Sequence, residues 1–330
     1  MLARIAATAL TLAAVLAPPT PAHADALTWS VSPSGPKGPS GRTALDYKLD
    51  PGATLSDHIA VTNHSQEPLT LRLYASDAFT TPSGGFDLLA AGATPKDTGA
   101  WIKLARTTVT LPKSSRVIVP LTLTVPPNAT PGDHAAGVVA SLTEATDGKF
   151  TVDHRVGTRV YLRVTGPLRP SQTISDVRLD VHPRWNPFTL PGVTATFTVN
   201  NTGNVRLGAR PTAKASGPFG LGAVSATAPP IPEILPGGAT RTSIRLDAVP
   251  PLFRDQILLS TPDARSRHTL WLIPWPQLAL TAALFSGWLF TRWRRRTRAA
   301  AVAAALAAAL AAAEQRGRDQ ALTPPTKGPS

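Results

Sequence analysis

Asp77 and Asp87 lie on either side of a glycine-rich turn and are the first residues in this sequence whose chemistry invites a role. Two carboxylates facing each other across a cleft are what acid–base cleavage of a glycoside needs. Aspartates at strand ends and turns are also common, because the carboxylate bonds nearby backbone amides. Nothing else in the sequence completes a catalytic set. His58, His64, His134, His154, His182 and His268 are scattered and lack the tight helical spacing that binds zinc. Pro131-Gly132-Asp133-His134 reads as a turn in which Asp133 bonds backbone amides. The chain has no Cys, which excludes disulfides, thiolate metal sites and a cysteine nucleophile. No Gly-x-Ser-x-Gly elbow and no phosphate-cradling glycine loop occurs. A non-enzymatic chain without cofactor or metal is therefore expected, and binding is the chemistry that remains. Tyr74, Phe79, Phe86 and Trp101 surround the two aspartates in a chain with only 6% aromatic residues. Such rings can stack on sugars while Asp77 or Asp87 accepts hydroxyl hydrogen bonds. Equally, Phe79, Phe86 and Trp101 can serve to pin a hairpin onto the body of the protein.

The elements that would position these residues are strands. The 330-residue chain contains 34 Pro and 24 Gly, a level that breaks helices and suits short strands joined by turns. Apolar and polar residues alternate in Ala60–Asn63, Pro68–Tyr74, Arg116–Val125 and Thr151–Thr165, as in half-buried strands. An internal repeat orders them. Val61-Thr62-Asn63-His64-Ser65 resembles Val199-Asn200-Asn201-Thr202-Gly203, and Leu111-Pro112 before one strand resembles Leu235-Pro236 before another. The architecture expected is all-β: two tandem immunoglobulin-like β-sandwiches over residues 25–166 and 167–268, joined by Gly166-Pro167 through Pro170. The spacing between the repeat units is longer in the first sandwich. The excess is assigned to a hairpin around Phe79–Asp87 with Pro82-Ser83-Gly84-Gly85 as its tip.

Two hydrophobic segments bracket this region. Residues 1–24 read as a signal peptide: Arg4, an apolar run from Ile5 to Ala17, prolines, then Ala22-His23-Ala24 as the cleavage pattern. Residues 269–291 are uncharged and long enough to cross the roughly 30 Å hydrocarbon core as a helix in the lipid bilayer. Trp271 and Trp275 sit near one end of this segment, Trp288 and Trp293 near the other, as at two membrane interfaces. Arg292, Arg294, Arg295, Arg296 and Arg298 follow and place the C-terminus in the cytoplasm. Residues 292–330 then form a basic, Ala-rich tail, helical at first and disordered from Leu322. This topology also explains much of the net charge of +13. Between Asp25 and His268 there are 24 Lys+Arg against 18 Asp+Glu, and after the apolar segment 8 against 2. The remaining surface is mildly basic. That suits an anionic wall polymer and does not imply nucleic acid as a partner. The first sandwich and its hairpin are expected to lie farthest from the membrane.

Several short motifs resemble a known family. Pro51-Gly52-Ala53-Thr54, Tyr74-Ala75-Ser76-Asp77-Ala78-Phe79, Pro131-Gly132-Asp133-His134 and Arg155-Val156-Gly157-Thr158-Arg159-Val160-Tyr161-Leu162 look like the actinobacterial branch of the WxL-interacting protein family. The resemblance covers about Leu45 to Pro167. It implies that the first sandwich binds peptidoglycan, or another wall glycan. In the better-known branch the second domain partners WxL surface proteins, which implies a surface protein as an alternative partner. This chain contains no Trp-x-Leu itself; Trp271-Leu272 and Trp288-Leu289 lack the spacer.

Overall fold

The computed structural model describes residues 27–146 and 150–322. The signal peptide assigned to residues 1–24 and the end of the tail lie outside the described residues.

The described chain is mostly β-sheet and sandwich-like, and it ends in one long helix. Its strands fall into two groups, each closed around its own core. In the first, one sheet has the order Gly38–Pro39, Trp29–Gly35, Thr54–Asn63, Arg116–Thr124, Ile102–Leu104. The facing sheet runs Leu45–Leu49, Phe150–Val164, Gly132–Thr146, Leu69–Thr80, Phe86–Leu88, with Thr108–Leu111 also paired to Leu69–Thr80. The alternation read from the sequence sets which side chains point inward. Val119, Leu121 and Leu123 are buried, while Pro120 and Thr124 face outward. With Leu45, Ile59, Leu71 and Leu162 they form a continuous core. Burying each such side chain contributes about 1.5–3 kcal/mol. In the second group, Gln172–His182, Gly192–Asn201 and Ala239–Leu246 form one sheet. Val224–Thr227, Thr212–Ser216, Phe253–Ser260 and Arg265–Leu272 form the other. Phe197, Ile244, Leu246, Ile257 and Leu259 fill the space between them.

The internal repeat has a physical basis in two buried asparagines. Asn63 donates its amide N–H groups to the carbonyls of Glu67 and Pro112 (2.8 and 2.9 Å), and its Oδ1 accepts the Ser65 N–H at 2.9 Å. Asn201 does the same with Val205 and Ile234 (2.7 and 2.8 Å), and its Oδ1 accepts the Gly203 N–H at 3.0 Å. Both side chains are almost completely buried. Each ties its own Asn turn to the Leu-Pro turn, which accounts for the common order of the two motifs.

The C-terminal segment departs from expectation. Thr269–Leu272, expected as the start of a spanning helix, instead completes the strand Arg265–Leu272, with Leu272 opposite Phe253 and Thr269 opposite Gln256. Leu272 is buried in the second core. Pro274 lacks the N–H a strand would need, so the sheet stops there, and the helix starts at Trp275 and runs to Leu322. This helix is long and apolar enough to cross a membrane, and none of its apolar window is buried against the protein.

Replacing either buried asparagine leaves several carbonyls without a donor. Asn63→Ala and Asn201→Ala should each lower the unfolding free energy by about 1–3 kcal/mol. Guanidinium denaturation of each variant against the parent measures this.

Candidate functional site

The six residues singled out from the sequence do not form one site. Tyr74 lies on the outer face of Leu69–Thr80. It lines a groove of about 430 Å³ with Arg72, the 91–95 loop, Ser141, Thr143 and Asp153. The Arg72 guanidinium stands 5.8 Å from the Tyr74 ring centre. The Tyr74 hydroxyl has no hydrogen-bond partner among the described residues. Asp77 is a loop clamp. Its carboxylate accepts the N–H groups of Lys96, Asp97 and Gly99 at 2.6, 2.9 and 2.7 Å. Position 99 must be glycine, because a Cβ there would lie 2.6 Å from the Ser76 carbonyl carbon. Asp87 accepts only the adjacent Leu88 N–H. Phe79 is partly exposed. Phe86 packs edge-on against Tyr161, centroids 6.0 Å apart, with Arg159 4.6 Å from its ring centre. Trp101 lies 5.1 Å from the His134 ring and packs on the first core.

The hairpin exists, with Phe79 opposite Asp87 and Thr80 opposite Phe86. It folds over the outer sheet face, where Leu88 occupies the space above Gly137 that a Cβ would fill. Its tip reaches the second group of strands. The Pro82 carbonyl accepts the Arg241 N–H at 2.8 Å, and Thr80 Oγ1 accepts the Leu235 N–H at 2.9 Å.

These contacts belong to a polar junction between the two halves. Asp133 is its centre. Its carboxylate accepts Nε and a terminal nitrogen of Arg163 at 2.6 and 2.8 Å, and the backbone N–H of Arg206 at 2.8 Å. The Asp133 N–H donates to the Asn204 carbonyl at 2.7 Å. Gly132 has a φ of 127°, and a Cβ on it would sit 2.1 Å from that carbonyl oxygen. The Pro131–His134 motif is thus the start of a strand. Asp133 does bond a backbone amide, as expected, but one from the other half of the molecule. Asn204 donates to the carbonyls of Pro131 and Pro167 at 2.8 and 2.9 Å and accepts the Arg169 N–H at 2.7 Å, which fastens the connecting segment. Arg206 lies 4.0 Å above the Tyr161 ring and bonds Asp46 at 3.1 Å, while Tyr161 donates to Glu233 at 2.8 Å. Asp46, Asp133, Tyr161, Arg163 and Arg206 line a recess of about 370 Å³. Sequence inspection passed over Arg163, Arg206 and Glu233. The one available signal was the glycine before Asp133, which marks a close backbone approach.

Charge states follow from these contacts. Burial works to raise the Asp133 carboxyl, but the Arg163 hydrogen bonds and the Arg206 amide outweigh it and hold the group below the usual carboxylate range. Burial similarly pushes the Tyr161 phenol up, and the Glu233 carboxylate adds to that. His134 faces oxygen acceptors on both sides: Asp97 at 2.8 and 2.9 Å from Nδ1, and the Thr130 carbonyl at 2.8 Å from Nε2. Only the imidazolium can donate to both. Burial opposes that charge, yet the bonds to Asp97 and Thr130 prevail and the His134 pKa is raised. Among the described residues no group of three His, Asp or Glu side chains could hold a metal ion.

No protein-family model matches the sequence. No curated protein matches it either. Solved structures align over most of the chain at low similarity. The class 5 fimbriae chaperone CfaA is 11% identical, with a TM-score of 0.35, over 75% of this chain and 100% of that one. The Pseudomonas aeruginosa CupB2 chaperone is 10% identical, with a TM-score of 0.32, over 70% and 98%. The periplasmic chaperone SfaE is 11% identical, with a TM-score of 0.32, over 73% and 98%. Likenesses at this level assign neither function nor partner to this chain.

The His134 contacts give a pH dependence with a definite sign. A raised folded pKa stabilises fully below the ordinary histidine value of 6.5, and that stabilisation is lost as pH rises through the folded pKa. His134→Gln should therefore lower the melting temperature at about pH 5, and the difference from the parent should narrow by about pH 9. Thermal unfolding of both proteins across this range checks it.

Proposed function

We propose that this chain is a membrane-anchored, non-enzymatic surface protein of two tandem immunoglobulin-like sandwiches, and that the first binds peptidoglycan or another wall polymer. The observation that carries this is the groove beside Tyr74. Tyr74, Arg72, Ser141, Thr143 and Asp153 line one open space. This is the mixture that recognises an anionic, hydroxyl-rich polymer: a ring for the sugar face, a guanidinium for a carboxylate, and polar groups for hydroxyls. A mildly basic surface raises the local concentration of such a polymer. Asp77 is occupied by three backbone amides, which supports binding over hydrolysis. In this reading residues 1–24 direct export, the C-terminal helix spans the cell membrane, and Arg292–Arg298 keep the tail in the cytoplasm.

A second reading, a scaffold for a surface protein, is favoured by one feature. The strand Phe150–Val164 pairs with Leu45–Leu49 only from Val160 onward. Among the described residues no strand covers the outer edge of Phe150–Arg159, and an open edge can accept a strand from a partner.

Full-length protein in detergent should be retained by purified sacculi, and Tyr74→Ala with Arg72→Ala should weaken retention about tenfold, equivalent to roughly 1.4 kcal/mol. Absence of retention by the parent, together with crosslinking of a protein from positions 152–158, would replace this reading with the scaffold.

A further inference from the structure

The strand registers place four connections of the second half at one end. His182 pairs with Gly192 and Val193 with Leu246, so the 183–191 and 247–252 connections lie together. Ser216 pairs with Gln256 and Phe253 with Leu272, which brings the 217–223 connection and the start of the helix to the same end. Gln277, in the first turn of the helix, donates to the Pro187 carbonyl at 3.0 Å and ties the helix to the 183–191 connection.

This end is apolar and aromatic, and its apolar groups face outward. Phe219 is fully exposed, Trp185 is 88% exposed and Phe188 86%. Leu221, Phe253 and Trp271 are exposed beside them. At the opposite end of the same half, in residues 201–209, 228–238 and 261–264, no large hydrophobic side chain is exposed among the described residues. Backbone conformation adds a second, independent sign. Phe219 and Phe253 have φ of 59° and 69°, a region that bulky residues avoid. Phe219 buries nothing that could offset the strain, so the turn holds the ring out into the surroundings.

The length of the helix identifies what covers this surface. The uncharged part, Trp275 to Thr291, has 17 residues. At about 1.5 Å per residue it spans roughly 25 Å, less than the roughly 30 Å hydrocarbon core. With Arg292 at the inner boundary, the outer boundary then falls at or beyond Trp275, level with Trp271 and the connections around it. Aromatic side chains favour that interfacial layer. Arg184 and Arg254 are exposed within this end and are suited to lipid phosphates.

We propose that this end of the second half is a membrane-seating surface. Trp185, Phe188, Phe219 and Phe253 enter the outer lipid interface, with Arg184 and Arg254 against phosphates. The surface shortens the distance the helix must span and holds the extracellular part at a set height and tilt. This rests on the membrane-anchored reading above, and the test separates the two. The chain has no Cys, so single cysteines can be introduced and spin-labelled. Full-length W185C, F219C, L284C and S243C are reconstituted in phosphatidylcholine–phosphatidylglycerol vesicles. Accessibility to oxygen and to a water-soluble nickel chelate is then compared. The label at 284 should lie deep. Those at 185 and 219 should show an oxygen-to-nickel ratio several-fold above that at 243, which sits on an outward strand position. Trp185→Asp with Phe219→Asp should return a label in F188C to aqueous values and leave that in L284C unchanged. A deep label at 284 with aqueous labels at 185 and 219 overturns the seating surface and leaves the anchor standing. An aqueous label at 284 overturns both. A label in F188C that stays at the interface in the Asp variant also overturns the role of the aromatic tips.

Discussion

A buried carboxylate holds the two halves of this molecule together. The Asp133 side chain is only 6% exposed, and an ion taken out of water at that depth must be compensated by hydrogen bonds and opposite charge. Arg163 supplies the charge from the neighbouring strand of the same half, and the Arg206 N–H comes from the other half. Separating the halves would leave this carboxylate short of a donor and would open the contacts of Asn204 as well. The junction is therefore a fixed joint. Gly132 is the steric condition for it, because any side chain there would strike Asn204.

The hairpin gains its meaning from the same joint. From their spacing alone, its aromatic and polar residues could be either a ligand-binding set or pins that hold the hairpin to the body of the protein. In three dimensions Phe86 leans on Tyr161, and Tyr161 carries Arg206 on its face and bonds Glu233. The tip bonds the backbone of the second half directly. The insertion thus braces the joint, and the open groove at Tyr74 is left as a separate surface. The two ends of the second half divide labour accordingly: one is polar and bonded to the first half, the other apolar and continuous with the helix.

Much of this was legible in the residues themselves. Alternation in Arg116–Val125 and Thr151–Thr165 marked strands that exist almost as read, because side-chain period follows directly from strand geometry. The Pro-Ser-Gly-Gly tip forms the expected hairpin, since turn chemistry is local. The Asn63 and Asn201 motifs revealed the repeat because each asparagine bonds carbonyls within a few residues as well as its distant Leu-Pro turn. The apolar helix and its Arg boundary were visible from composition alone.

Partner choice across long separations was not legible. Asp133 and Arg206 are 73 residues apart, and no local pattern links them. The direction of the hairpin depended on a small residue, Gly137, leaving room for Leu88 on the sheet face. Thr269–Leu272 is apolar enough for a helix, yet the strand Phe253–Ser260 offered unpaired backbone groups and a core position for Leu272. Sequence by itself determined the strand periodicity, the turns, the repeat and the apolar segment, all consequences of nearby residues. Only the tertiary structure decided which polar groups meet and where strand gives way to helix, because hydrogen-bond partners and buried space exist only once the chain has folded.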